Sequence, residues 1–97
     1  MEQSNRQKNY DRQLSSLIES QVKKFLGSSK HRRVDRVHIV PMAPLNYFCQ
    51  AMEKNQFELK SSEYVGPDFK YVFTKGQSEY HITGSLVSGN FRICFIK

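Results

Sequence analysis

The side chains of this chain best placed to do chemistry are its cations. Lys23, Lys24, Lys30, Arg32, Arg33 and Arg36 fall within fourteen residues, opposed only by Asp35, so that segment holds +5 of the net charge of +6. Clustered Lys and Arg neutralise phosphates and release counterions, which makes the segment a footprint for a polyanion. A solvated loop that keeps the protein soluble would have the same composition, and both readings are carried forward. A second group lies around Gly66-Pro67-Asp68, where Tyr64, Phe69 and Tyr71 accompany Lys70. Aromatic faces stack single-stranded bases at about 1–3 kcal/mol each. Strand alternation puts Phe69, Tyr71 and Phe73 on one face, which is also how a core is built. Phe73 is assigned to the core, and Tyr71 suits either role. The candidate contacts are thus Lys30, Arg32, Arg33, Arg36 and Lys70 for phosphates, with Tyr64 and Tyr71 for bases.

Other chemistries find less to work with. His31, His38 and His81 have no Cys or acid at ligand spacing, so no metal site is expected. Cys49 with a histidine and Asp68 has no supporting local sequence for a nucleophile, and a Cys on an apolar helical stripe is a packing residue. There is no Gly-rich phosphate loop. Neither catalysis nor a cofactor is expected. Cys49 and Cys94 are too few for a disulfide framework. They are expected to be free, mostly buried thiols in a reducing compartment, nucleus or cytoplasm, with a Cys49–Cys94 bridge as the alternative. The polar start "MEQSNRQKNYDRQ" does not read as a secretory signal. The apolar runs are too short to span a bilayer, so no membrane partner is expected.

These residues must be positioned by a small domain. Ninety-seven residues with 38% hydrophobic and 12% aromatic content suit one globular unit with a modest core. Residues 1–10 read as a flexible polar lead, and 11–97 as the domain. Leu14, Leu17, Ile18, Val22 and Phe25 follow one face of an α-helix. Gly27 stands where a C-terminal cap would use positive φ, and Lys23 and Lys24 suit the macrodipole of the last turn. Val34–Val40 alternates like a short strand and Pro41 ends it. Pro44 opens a second helix with the stripe Leu45, Phe48, Cys49 and Met52, closed by Asn55-Gln56. From Phe57 onward the chain is β in character, with turns at Gly66-Pro67-Asp68, Lys75-Gly76-Gln77 and Ser88-Gly89-Asn90. The pattern predicts a two-layer α+β domain, both helices on one face of an antiparallel sheet of three to five strands. The other face would be free, and Tyr64, Tyr71 or Tyr80 could be displayed on it.

Between about Leu14 and Lys75 the chain resembles the small single-stranded-nucleic-acid-binding domain named for its Arg-x-x-x-His signature. The likeness rests on Phe25-Leu26 closing the first helix, the basic loop, Pro41-Met42 leading to the second helix, and "FELKSSEYVGPDFKYVFTKG" with Gly66 and Lys70 in its turn. The two signature positions fall on Tyr47 and Ala51, so the resemblance implies a degenerate member without its named site. Gly66-Pro67-Asp68, with Phe73 four residues after Phe69, is also similar to the Gly-Pro-x-His-x-x-x-Phe turn of double-stranded RNA-binding domains. "PLNYFCQAMEKN" would be that family's first helix. Phe69 takes the place of its His, and its terminal Lys-rich helix is missing, which implies a truncated copy.

The function expected from these features is binding of single-stranded nucleic acid, RNA ahead of DNA, through the basic loop and the strand aromatics. The alternative is a protein-interaction module. If the apolar terminal strand "RICFIK" lay at a sheet edge, it would pair with another chain.

Overall fold

Helical propensity carries the first helix further than its apolar stripe. The computed structural model describes residues 2–28, 30–38 and 44–97. In it α1 spans Glu2–Leu26, so the expected lead over residues 1–10 is helical from Glu2. Residues 2–8 hold no Gly or Pro and several strong helix formers, which extend a helix without an apolar period to mark it. Leu14, Ile18, Val22 and Phe25 are at most 4% exposed and form the buried stripe. Leu17, expected on that stripe, is exposed, because one residue turns the helix by about 100° away from Ile18. Gly27 also departs from expectation. It lacks positive φ; its N–H donates to the Lys23 carbonyl at 3.1 Å and that of Ser28 to Phe25 at 3.1 Å, so a tightened last turn ends the helix.

The second helix, α2, spans Pro44–Glu53 and ends in a Schellman motif. Phe57 N–H donates to Met52 O at 3.0 Å and Gln56 N–H to Glu53 O at 2.9 Å, with Gln56 left-handed at φ 69°. The accompanying apolar contact is supplied by Met52 and Phe57, both buried. Between the helices lies β1, Arg32–Val37, which starts before the expected Val34. The expected terminus at Pro41 and the Pro41-Met42 lead lie outside the described residues.

Four strands follow as a meander: β2 Glu58–Val65, β3 Asp68–Lys75, β4 Ser78–Val87 and β5 Asn90–Ile96. Each connection is a two-residue hairpin. Gly66 and Gly76, both at φ 60°, open the first two, and Ser88 and Gly89 at φ 52° and 85° make the third. These are the φ signs of the II′ and I′ turns that match strand twist. All neighbours are antiparallel, in the order β1-β5-β4-β3-β2. The fold is therefore two helices over one face of a five-stranded antiparallel sheet. The terminal strand β5 lies between β1 and β4. Both its edges are paired, which removes "RICFIK" as an edge for another chain; β1 and β2 are the edges.

The core fills the space between the layers. Phe69, Tyr71 and Phe73 of β3, Ile82 of β4, and Phe91, Ile93 and Phe95 of β5 face Phe25, Phe48, Met52 and the stripe of α1. Phe48 sits among Phe69, Tyr71 and Phe95, ring centroids 5.8, 5.8 and 6.4 Å away. Gly84 stands opposite Phe69, whose ring lies over it: a Cβ at Gly84 would sit 2.1 Å from Phe69 Cζ. Both cysteines are unbridged and half-buried. Cys49 packs at the margin of the core, while Cys94 alternates with the core residues Ile93 and Phe95 and so faces the other side of the sheet.

Candidate nucleic-acid interface

Of the expected phosphate contacts, Arg32, Arg33 and Arg36 lie on the β1 edge, Lys30 just before it, and Lys70 away from it on β3; they are not equally available. Arg32 pairs with Phe95 in register, so it leans toward the helix layer. There its Nε donates to Gln21 Oε1 at 2.7 Å, which ties the start of β1 to the last turns of α1. Arg33 pairs with Cys94 and faces the open side of the sheet, its Nε 3.4 Å from Asp35 Oδ2. Lys30, Lys23 and Lys24 are exposed. Lys30 is held by its backbone N–H on Ser28 Oγ at 3.1 Å. Nearby, Lys97 donates its backbone N–H to His31 Nδ1 at 3.3 Å, and its ammonium bonds the Ser28 carbonyl while lying over the Phe25 and Tyr80 rings.

Arg36 is set out by a bulge. Val34 pairs with Ile93 and Val37 with Phe91, so Asp35 and Arg36 together oppose the single residue Arg92. Arg36 is exposed and left-handed at φ 58°, a conformation that costs a non-glycine residue about 1–2 kcal/mol. Arg92 Nε donates to Asp35 Oδ1 at 2.8 Å. Asp35 thus sits among Arg33, Arg36 and Arg92. Its carboxyl is held below the usual carboxylate range, first by the hydrogen bond from Arg92, then by the Arg33 guanidinium. Arg92 was missed by sequence reasoning: its only local signal is one cation alternating with Phe91 and Ile93 in a strand, and no sequence pattern shows that β5 lies beside β1.

The aromatics do not join this cluster. Tyr71 is 0% exposed, stacked on Phe69 at 4.7 Å with its hydroxyl 3.1 Å from that of Tyr64. Burial, then the Tyr64 hydrogen bond, pushes its phenol well above the ordinary range. It therefore offers no face to a base, and the stacking role is withdrawn. Tyr64 is 54% exposed but sits on β2, four strand spacings or about 19 Å from β1. Tyr64 pairs with Phe69 and Tyr80 packs on Phe25 and Phe57, so none of the three tyrosines is displayed on the open face. Lys70 is on that face: Arg33, Cys94, Thr83 and Lys70 pair successively across β1, β5, β4 and β3. This row places two cations at its ends and two small neutral side chains between them. Toward β2 the face turns mixed, with Glu63 opposite Lys70 and Glu79 bridging Lys60 and His81 at 3.0 Å each.

The positions matching the Arg-x-x-x-His signature, Tyr47 and Ala51, are half-buried and buried against the core. Among the described residues no group of His, Cys, Asp and Glu could hold a metal ion, and no helix is long and apolar enough to cross a membrane. Fold and site together define a two-layer α+β domain with one cationic sheet edge. No protein-family model, curated protein or solved structure matches the chain.

Proposed function

We propose that this domain binds single-stranded nucleic acid through its phosphates, without catalysis, along the β1 edge. The observation that carries the reading is the one-sided charge. Arg33 and Arg36 are exposed on the β1 edge, Lys30 is exposed just before it, and Lys23 and Lys24 are exposed in the last turn of α1 that leads into it. Arg92 adjoins Arg33 and Arg36 through Asp35, and Asp35 is the single acid within Lys23–Arg36. Phosphate contact supplies most of the affinity of a sequence-independent binder, so the loss of Tyr71 as a stacking platform removes preference among bases before it removes binding. Lys30, Arg33 and Arg36 grip the backbone. A strand continuing over the open face follows the row from Arg33 to Lys70. Arg32 positions the edge through Gln21. Cationic side chains on an edge strand also discourage pairing with other sheets, which keeps the edge open to a polyanion.

The test is a fluorescence-anisotropy titration of the whole chain with single- and double-stranded oligonucleotides over a salt series. Binding at low salt with a linear fall of log K against log salt is expected, at a slope of about −0.7 per phosphate contact for single strands. No binding to either at low salt overturns the proposal.

A further inference from the structure

Beside the bulge lies an open cavity of about 430 Å³, lined by Asp35, Arg36, Val87, Ser88, Phe91 and Arg92, among others. We infer that this cavity is a seat for a phosphomonoester, the terminal phosphate of the strand whose backbone the β1 edge grips. The inference rests on the proposed function and gives it a polarity: the bound strand ends here.

Three independent features converge on the cavity. The first is charge. Arg36 and Arg92 line the cavity with a single acid, Asp35, and Arg33 stands beside Asp35 outside the lining; the Asp35 oxygens are 3.4 Å from Arg33 Nε and 2.8 Å from Arg92 Nε. The cluster keeps a net charge of +2 (three cations less one anion), against roughly −1.5 to −2 on a phosphomonoester at neutral pH and −1 on an internal phosphodiester. The second is backbone. Among the described residues, the non-glycine positions with positive φ are Arg36 (58°), Gln56 (69°) and Ser88 (52°); Arg36 and Ser88 line this cavity, from β1 and from the β4–β5 turn. Gln56 belongs to the cap of α2. The Ser88 conformation is that of its I′ turn, whereas that of Arg36 is a bulge strain of the kind that gathers at ligand sites, and it sets Arg36 beside the turn. The third is orientation. Asp35 occupies Arg92 through Nε, which fixes the plane of the guanidinium and leaves its Nη pair for a planar or tetrahedral oxyanion. Ser88 and Asn90 complete the lining.

Arg36 and Arg92 are the binding residues, and Asp35 is a positioning residue. The cavity lies where the sheet ends at the β4–β5 turn, and this corner suits a strand terminus.

The experiment compares oligonucleotides of one sequence bearing a 5′-phosphate, a 3′-phosphate or free hydroxyls, each labelled at the other end, in anisotropy titrations with the full chain. One terminal phosphate should tighten binding at least about tenfold over the hydroxyl form. Arg92→Gln should bring that ratio close to one. Asp35→Asn separates the roles: it raises affinity for the hydroxyl oligonucleotide by removing an anion, yet lowers the phosphate ratio by freeing Arg92, whereas a merely electrostatic Asp35 would raise both alike. Equal affinity of all three oligonucleotides for the wild type overturns the seat and leaves the β1 grip standing. Amide chemical-shift titration with adenosine 5′-monophosphate and with inorganic phosphate tests the seat even where no oligonucleotide binds. Saturable shifts at Arg36, Ser88 and Arg92 are expected. Their absence with both probes overturns the inference, and shifts without oligonucleotide discrimination also overturn a strand end as the source, in favour of a free mononucleotide.

Discussion

Replacing Arg36 with Gly should make the protein more stable and a weaker binder at once. Arg36 holds φ 58° in the bulge opposite Arg92. Relief of left-handed strain is worth about 1–2 kcal/mol, and the extra freedom of glycine in the unfolded chain takes back about 0.5–1 kcal/mol. A net gain of roughly 0.5–1 kcal/mol remains, which in a domain of about 100 residues raises Tm by about 2–8 °C. The lost cation removes one phosphate contact, so the log–log salt slope for a single strand flattens by about 0.7. Arg36→Gln is the control: it keeps the strain and loses the same charge, so it should flatten the slope equally with little change in Tm. Thermal melts and anisotropy titrations on the three proteins decide the matter. A glycine variant that melts at or below the glutamine variant would refute the strained bulge.

Three further outcomes follow from the packing and electrostatics. Phe48→Ala should cost about 3–5 kcal/mol in urea unfolding, enough to unfold much of a domain this small; a wild-type melt would contradict a core shared by both helices and the sheet. Gly84→Ala puts a Cβ 2.1 Å from the buried Phe69 ring and should cost about 1–3 kcal/mol through forced repacking, with Gly84→Ala/Phe69→Leu recovering part of the loss. The Asp35 carboxyl, lowered chiefly by the Arg92 hydrogen bond, favours the folded state at neutral pH. That contribution is lost as pH falls through its lowered value. In carboxyl-carbon NMR titrations Arg92→Gln should move the Asp35 midpoint back up toward an ordinary carboxylate, and an unmoved midpoint would contradict the pairing.

Those parts of the fold that depend on local chemistry were legible in the sequence. The stripe of α1 and Pro44 at the start of α2 showed as periodicity and backbone restriction. Gly66, Gly76 and Gly89 marked the hairpins, because a two-residue turn needs positive φ. What stayed hidden was set by contacts distant in sequence. Asp35 meets Arg92 across 57 residues, and nothing local to β1 announces that it will lie beside β5 and not at the far side of the meander. The bulge was hidden because Arg, and not Gly or Asn, adopts the left-handed conformation there. Alternation put Phe69, Tyr71 and Phe73 on one face, yet whether that face is core or surface depends on where α2 docks. Phe48 settles it by covering Tyr71. The cationic edge was legible as composition, since charge is counted along the chain. The cavity beside it was not, because Val87, Ser88 and Arg92 reach it from another hairpin.

Binding along the β1 edge is read most directly from the salt dependence of single-strand binding by a Lys30→Gln/Arg33→Gln/Arg36→Gln variant beside wild type. Loss of three phosphate contacts should flatten the log–log slope by about 2, with the fold retained, since surface changes of this kind shift stability by about 0.5 kcal/mol or less apiece. Lys60→Gln/Lys75→Gln, equal in type but on the far side of the sheet, should leave the slope as it is. A folded triple variant with the wild-type slope, or a far-side variant that loses as much, would contradict binding along the β1 edge.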